Sequence, residues 1–403
     1  MFDKPFIPVR FTDLMDFHFI CDLLRRHTAD ELAATFMLML KHQAEAQDDD
    51  LHAAAESPEE LLSEAKSLPV ISLACCSASV WQWVAEVKEH LDDYIWLHGI
   101  LTDQHSRDTL LNAILSRFFC IYAFLEKTYT PIQYFDWNIL QKRENALYVD
   151  CGAYDGDSVV NFIGRYGPDY AHIIAYEPTP DVFQALRQSV QSFPRVLIRP
   201  AAVGEKAGAL PLQCFPNAVL NYVPMDGAPH CATDITVPVV ALDQDIDPAL
   251  KISLLKIDVE GAEAAVLRGA REHIISDRPQ LAVCLYHLLD DLRVIPRLIH
   301  SYNPEQDFYL RNHQLHGIYD LVFYADPHLG PNEQAPEPAE PPLDPADPLR
   351  RMLDLSATVY EGLDYLCQAD PVSAAARQMR DLVRQALTVL LRGCEQWTET
   401  TGE

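Results

Sequence analysis

Asp150, Gly152 and Gly156 stand as D-x-G-x-x-x-G in the segment LYVDCGAYDGDS, directly after an apolar run, and Ser158 follows where it can cap a helix. Glycines at a strand end let the backbone approach a ligand. In open α/β sheets, ligands bind outside the carboxyl ends of the strands, near the point where the strand order reverses. A dinucleotide fingerprint G-x-G-x-x-G starting at Gly152 needs glycines where this chain has Tyr154 and Asp157, so that pyrophosphate loop is absent. An adenosine carrying a cationic sulfonium needs no anion-binding nest, and it suits this wider spacing with acidic residues alongside. Glu177 closes the next apolar run, AHIIAYE, where it can accept hydrogen bonds from both hydroxyls of a ribose. With Pro178 and Asp181 beyond it, Glu177 also reads as a neighbour of a helix N-terminus.

A second group of residues suits proton transfer. Asp258 and Glu260 follow LLKI, and His287 follows LAVCLY, all at strand ends. A carboxylate or imidazole so placed can take the proton of a weakly acidic hydroxyl, a contribution of roughly 10² to 10⁴-fold. The structural alternative for Asp258 is a cap on the turn into GAEAAVLRGA, with Glu260 satisfying backbone donors there. Lys256 reads as a paired charge near Asp258. Arg311 and His313, at the end of a later strand, suit either an anionic or hydroxyl-rich acceptor or the surface. Asp258, His287 and nearby acids have donor types that divalent cations use, but their spacing is not diagnostic and no metal is assigned.

Positioning these residues requires an alternating fold. Short β-rich runs (ALYVDC, AHIIAYE, RVLIRPAAV, ISLLKID, QLAVCLY, DFYLR, YDLVFYA) alternate with helical segments, which predicts a mostly parallel sheet covered on both faces by helices. Between Ala209 and Leu242, the pieces LPLQC and TVPVVAL predict a small antiparallel excursion. Residues 1–145 read as a mainly helical accessory domain, with Leu32, Phe36, Met37 and Leu40 on one helical face and a helical pattern from Ser106 to Tyr129. Residues 146–325 form the central unit. Residues 326–348 are rich in proline and acid and read as an extended linker. Residues 349–403 read as a helical hairpin whose apolar stripe must dock on the body or on a second copy, a homodimer in the latter case.

Bulk properties narrow the partners. Asp and Glu number 59 against 31 Lys and Arg, a formal net charge of -28, which repels nucleic-acid phosphates and anionic lipid headgroups. Neither nucleic acid nor membrane is therefore expected as a partner. The ten cysteines show no C-x-x-C pair. The N-terminus lacks the pattern of a secretory signal and no apolar run approaches the ~20 residues that span a bilayer, so the expected compartment is the cytoplasm.

The runs YVDCGAYDGDS, AYEPTPDVFQAL, AAVGEKAG, VPVVALDQ and LLKIDVEGAEAAVLRGA, in this order, resemble the FkbM family of S-adenosylmethionine-dependent methyltransferases over roughly residues 146–325. KIDVEGAE followed by VLRGA is the most distinctive piece. The resemblance implies an α/β class I methyltransferase (Rossmann-like) fold with a mostly parallel seven-stranded sheet, here with a mainly helical N-terminal domain and a C-terminal helical extension. It implies S-adenosyl-L-methionine as cofactor and O-methylation of a small-molecule acceptor, a hydroxyl of a sugar or secondary metabolite. By position, Asp150, Gly152 and Gly156, with Tyr154 in the same loop, would line the methionine portion and sulfonium. Glu177 would hold the ribose, Ala202 and Val203 the adenine, and Asp157 the amino group. Where the family often carries a Ser-rich loop after the third strand, this chain reads CFPNAVLNYVPMDG. Methylation of nitrogen or carbon, and a cofactor-binding scaffold without turnover, are the alternative functions.

Overall fold

The apolar run ALYVDC folds as a strand whose six residues are all buried, as a central parallel strand covered on both faces must be. A computed structural model describes residues 7, 12–45, 57–72, 77–121, 123–213, 234–314 and 319–327. Of the linker expected over residues 326–348, Asp326 and Pro327 instead end a strand (Leu321–Pro327), and the rest of it and the C-terminal hairpin lie outside the described residues.

Seven strands build the large sheet and are numbered here in chain order: β1 (Ala146–Cys151), β2 (Tyr170–Tyr176), β3 (Val196–Arg199), β4 (Leu254–Ile257), β5 (Gln280–Cys284), β6 (Gln306–Asn312) and β7 (Leu321–Pro327). Their spatial order is β6-β7-β5-β4-β1-β2-β3. Pairing is parallel from β3 through β5, while β7 runs antiparallel to both β5 and β6. The mostly parallel seven-stranded sheet that the sequence predicts is therefore present. The chain winds outward from β1 to β3 on one side and returns to β4 on the other. The strand order thus reverses between β1 and β4, and their carboxyl ends open the crevice where such sheets bind ligands.

The predicted excursion is also present: Gly208–Gln213 pairs antiparallel with Asp234–Val240, and the short strand Ala202–Val203 pairs with the same partner in parallel. The helical stretches of the first 145 residues resolve into several shorter helices. The one expected from Ser106 to Tyr129 runs Gln104–Phe119 and stops at Cys120, whose φ of 52° is left-handed. That helix is buried on most of its faces, including Leu110, Ile114, Arg117 and Phe118, because it lies between other helices and β6. An edge strand is otherwise a ready template for unwanted pairing. Here the flanking segments cover β6: Thr102 N donates to Phe308 O at 2.8 Å and Thr130 N to Asn312 O at 2.8 Å. One hydrophobic core runs from Phe36, Trp83 and Phe118 of the helices to Val149, Leu255 and Phe323 of the sheet. Among the described residues, no helix is long and apolar enough to cross a membrane.

Candidate functional site

Gly152 turns the chain out of β1 with φ +82°, and a Cβ there would stand 1.8 Å from the Asp258 carbonyl oxygen. Only glycine allows the ends of β1 and β4 to approach this closely. The turn is held from below by buried charge. Asp150, 0% exposed, lies 3.1 Å from the Lys256 ammonium and accepts a hydrogen bond from Ser158 Oγ at 2.5 Å. Lys256 Nζ also donates to the Gly152 carbonyl at 2.5 Å. Burial works to discharge Lys256, but Asp150 and Asp258 outweigh it and hold its pKa above the ordinary lysine value. The paired charge read from sequence is real, and its closest carboxylate is Asp150.

Of the other residues named for the cofactor, Tyr154, Gly156, Asp157 and Glu177 lie in or beside this turn. Gly156 (φ +92°) precedes the helix Asp157–Tyr166, and a Cβ there would meet Leu186 at 3.1 Å, so this glycine also lets that helix pack on the helix Pro180–Val190. Tyr154 has a left-handed φ of 45°, and Asp157 accepts from Ser158 N at 2.6 Å. Gly152 N and Ala153 N both donate to Tyr176 O, tying the loop to the end of β2. The next residue is Glu177, 7% exposed, which accepts from Thr179 N at 2.7 Å. Burial pushes the Glu177 carboxyl up to about 7, against the backbone donors of Thr179 and Tyr154 and the charge of Lys256. Ala202 and Val203 are buried in the short strand after β3.

Beside the Gly152 turn, the chain gathers a buried imidazole among carboxylates. His287, 0% exposed, faces Glu263 Oε1 through Nδ1 at 3.0 Å, and its Nε2 stands 3.5 Å from Asp258 Oδ1 and 3.6 Å from Glu260 Oε2. Burial opposes charge on His287, yet Glu263 and Glu260 raise its pKa well above the ordinary value. Asp258 is fixed by two phenols: Tyr134 Oη donates to Oδ2 at 2.9 Å and Tyr286 Oη to Oδ1 at 3.2 Å. Burial would raise the Asp258 carboxyl, but Lys256 and His287 hold it below the usual range. Burial lifts Glu260 to about 8, and its backbone takes φ 56°. The backbone donors of this turn go to Glu263, whose Oε1 accepts from Val259 N at 2.9 Å.

The structure thus brings together Asp258, Glu260 and His287, three residues that sequence alone separates by up to 29 positions. Arg311 and His313 lie apart from this group in hydrogen-bonding terms. Arg311 pairs with Asp103 at 2.5 Å and donates to Ser106 Oγ at 2.7 Å, which pins the helix Gln104–Phe119 to β6. His313 meets Thr130 O and the Tyr324 hydroxyl, each at 2.7 Å, and burial lowers its pKa to about 3. Sequence reasoning missed Tyr134, Tyr286 and Glu263. Tyr286 and Glu263 adjoin named candidates and a nearest-neighbour search would have found them. Tyr134 reaches Asp258 across 124 residues, and no local pattern marks it.

Residues 150–311 match the model of the methyltransferase FkbM domain. Among solved structures, the chain is similar to a methyltransferase FkbM from Methylobacillus flagellatus KT, with 22% identity and a TM-score of 0.55 over 71% of this chain and 70% of that one. That likeness is one of fold. An rRNA methylase from Streptococcus thermophilus aligns at 10% identity and a TM-score of 0.29 over 51% of this chain and 94% of that one. A precorrin-6y C5,15-methyltransferase from Geobacter metallireducens GS-15 aligns at 12% identity and a TM-score of 0.27 over 46% and 80%. No curated protein matches the chain.

Proposed function

We propose, with the FkbM methyltransferase domain as premise, that this protein uses S-adenosyl-L-methionine to methylate a hydroxyl of a small-molecule acceptor such as a sugar or secondary metabolite. The observation that carries this reading is the contact between the Gly152 turn and the Asp258 backbone. It joins a cradle suited to the cofactor with a proton-accepting cluster at one switch point. The residues fit the group: Gly152 lets the turn after β1 close onto the Asp258 backbone at the switch point, and the buried Glu177 carboxyl stands at the next strand end.

Asp150, Gly152, Tyr154 and Gly156 would line the methionine portion, Asp157 its amino group, Glu177 the ribose, and Ala202 and Val203 the adenine. When bound, the cofactor supplies an electrophilic methyl on an excellent leaving group. What remains for the chain is alignment of the acceptor and removal of its proton. Lys256 keeps the Gly152 turn in place through Asp150 and the Gly152 carbonyl. Tyr134 and Tyr286 fix the Asp258 carboxylate, and Glu260, its side chain 30% exposed, is the member of the cluster most open to an acceptor. Within this group of Asp258, Glu260 and His287 we assign proton acceptance from the hydroxyl to the carboxylates, with Glu260 as the more open one and His287 as the charged group beside them.

Calorimetry with S-adenosylhomocysteine, followed by transfer of labelled methyl to a panel of hydroxylated sugars and metabolites, tests the reading. Binding together with oxygen-linked label is the expected result, and Glu260→Gln should lower turnover roughly 10² to 10⁴-fold while cofactor affinity is kept. Label on nitrogen or carbon would redirect the assignment. Cofactor binding without transfer to any acceptor would favour a scaffold, and absence of binding by folded protein would end the proposal.

A further inference from the structure

Three side chains of the cluster have the chemistry and spacing of a cation site. One ligand atom from each of Asp258, Glu263 and His287 lies within 4.8 Å of the others. Ligands at ~2.1–2.4 Å from an ion stand ~4.2–4.8 Å apart when opposite and nearer ~3.4 Å when adjacent. The 3.5 Å between His287 Nε2 and Asp258 Oδ1 matches the adjacent spacing and exceeds the usual N–H···O hydrogen bond of ~2.7–3.2 Å.

A second observation is independent of that spacing. Glu263 is 1% exposed; its Oε1 accepts from Val259 N and stands 3.0 Å from His287 Nδ1, but its Oε2 is buried with no hydrogen-bond partner. A buried carboxylate oxygen without a partner is costly and is one mark of an ion's place. The local charge agrees. Asp258, Glu260, Glu263 and Asp291 are the carboxylates grouped with the single imidazole of His287. The nearby Lys256 ammonium is engaged with Asp150 and the Gly152 carbonyl.

We propose that Asp258, Glu263 and His287 bind one divalent transition-metal cation. Two carboxylates and one imidazole form a mixed oxygen and nitrogen set, which suits Mn²⁺ and its neighbours better than Ca²⁺ or Mg²⁺. Binding itself does not depend on the methyl-transfer reading. Its purpose does: resting on that reading, an ion beside Asp258 takes the acceptor hydroxyl as a further ligand and makes it more acidic.

The test uses the full chain stripped with chelator and titrated with Mn²⁺, following the free-ion paramagnetic resonance signal. One saturable site per chain is expected. His287→Gln and Glu263→Gln should each weaken it about tenfold or more, leaving the weak sites of the acidic surface unchanged. Because either variant risks misfolding, the wild-type complex is also examined for ¹⁴N hyperfine coupling from a directly bound imidazole. Coupling supports the site. No saturable binding, no nitrogen coupling, or folded variants that titrate like wild type would overturn it. S-adenosylhomocysteine binding by the stripped protein is measured separately, so loss of the metal site and loss of the methyltransferase reading give different results.

Discussion

At the scale of single residues, burial decides which charges the site can use. Glu177 is pushed up to about 7 by burial from an ordinary 4.5. Between those values the folded apo chain holds a proton that the unfolded chain releases, so this group's contribution to stability is lost as pH rises through about 7. A ribose held by Glu177, as proposed, needs the carboxylate as acceptor, and its binding would then expel that proton below pH 7. S-adenosylhomocysteine affinity should rise up to tenfold per pH unit from pH 6 towards 7 and level off above it. Calorimetry across that range checks this for wild type. Glu177→Gln should weaken binding at pH 8 and flatten the profile; an unchanged slope in the variant would assign the titration to another group.

At the scale of elements, two glycines do different work at equally close approaches. A Cβ at Gly152 would meet the Asp258 carbonyl, and at Gly269 it would stand 2.0 Å from the Gly204 carbonyl. Gly152 joins β1 to β4 inside the crevice, whereas Gly269 ends the helix Glu263–Gly269 against the loop after Ala202–Val203. Gly269→Ala forces backbone apart and should cost roughly 1–3 kcal/mol or more in urea unfolding, with the folded fraction still binding cofactor near normally. Gly152→Ala carries the added strain of φ +82° and should lose cofactor affinity as well as stability. Retained affinity in that variant would move the cofactor away from this turn. The strands themselves were legible as apolar runs, because parallel strands buried on both faces have little polar content to disguise them. Helix ends in the first 145 residues were less legible, since a helix such as Gln104–Phe119, buried on most of its faces, loses the amphipathic period that marks boundaries.

At the scale of the whole molecule, Arg311 and its neighbours join the N-terminal helices to the sheet edge. Burial works to raise the Asp103 carboxyl, but Arg311 and Ser106 hold it at about 2, and burial lowers His313 to about 3. Both folded values lie below the unfolded ones, so acid favours the unfolded form. His313 loses its contribution as pH falls from 6.5 towards 3, and Asp103 as pH falls from 3.8 through 2. Hydrogen exchange should therefore show the helix Gln104–Phe119 opening before β1 and β4 as pH is lowered from 6.5 to 4. Arg311→Gln should cost about 2 kcal/mol and speed exchange of the same helix at neutral pH. If exchange is unchanged and acceptor binding weakens instead, Arg311 belongs to the substrate.

By itself the sequence determined the alternating sheet, the glycine turn after β1, the acid at the end of β2 and the family resemblance, because each is written in neighbouring residues whose spacing follows strand and turn geometry. The tertiary structure decided which side chains meet. Tyr134 reaches Asp258, Glu263 takes the backbone donors of the turn and one side of His287, and Arg311 turns to Asp103. Those contacts depend on the strand order β5-β4-β1 and on how the helices close over β6, and no local pattern in the chain records either.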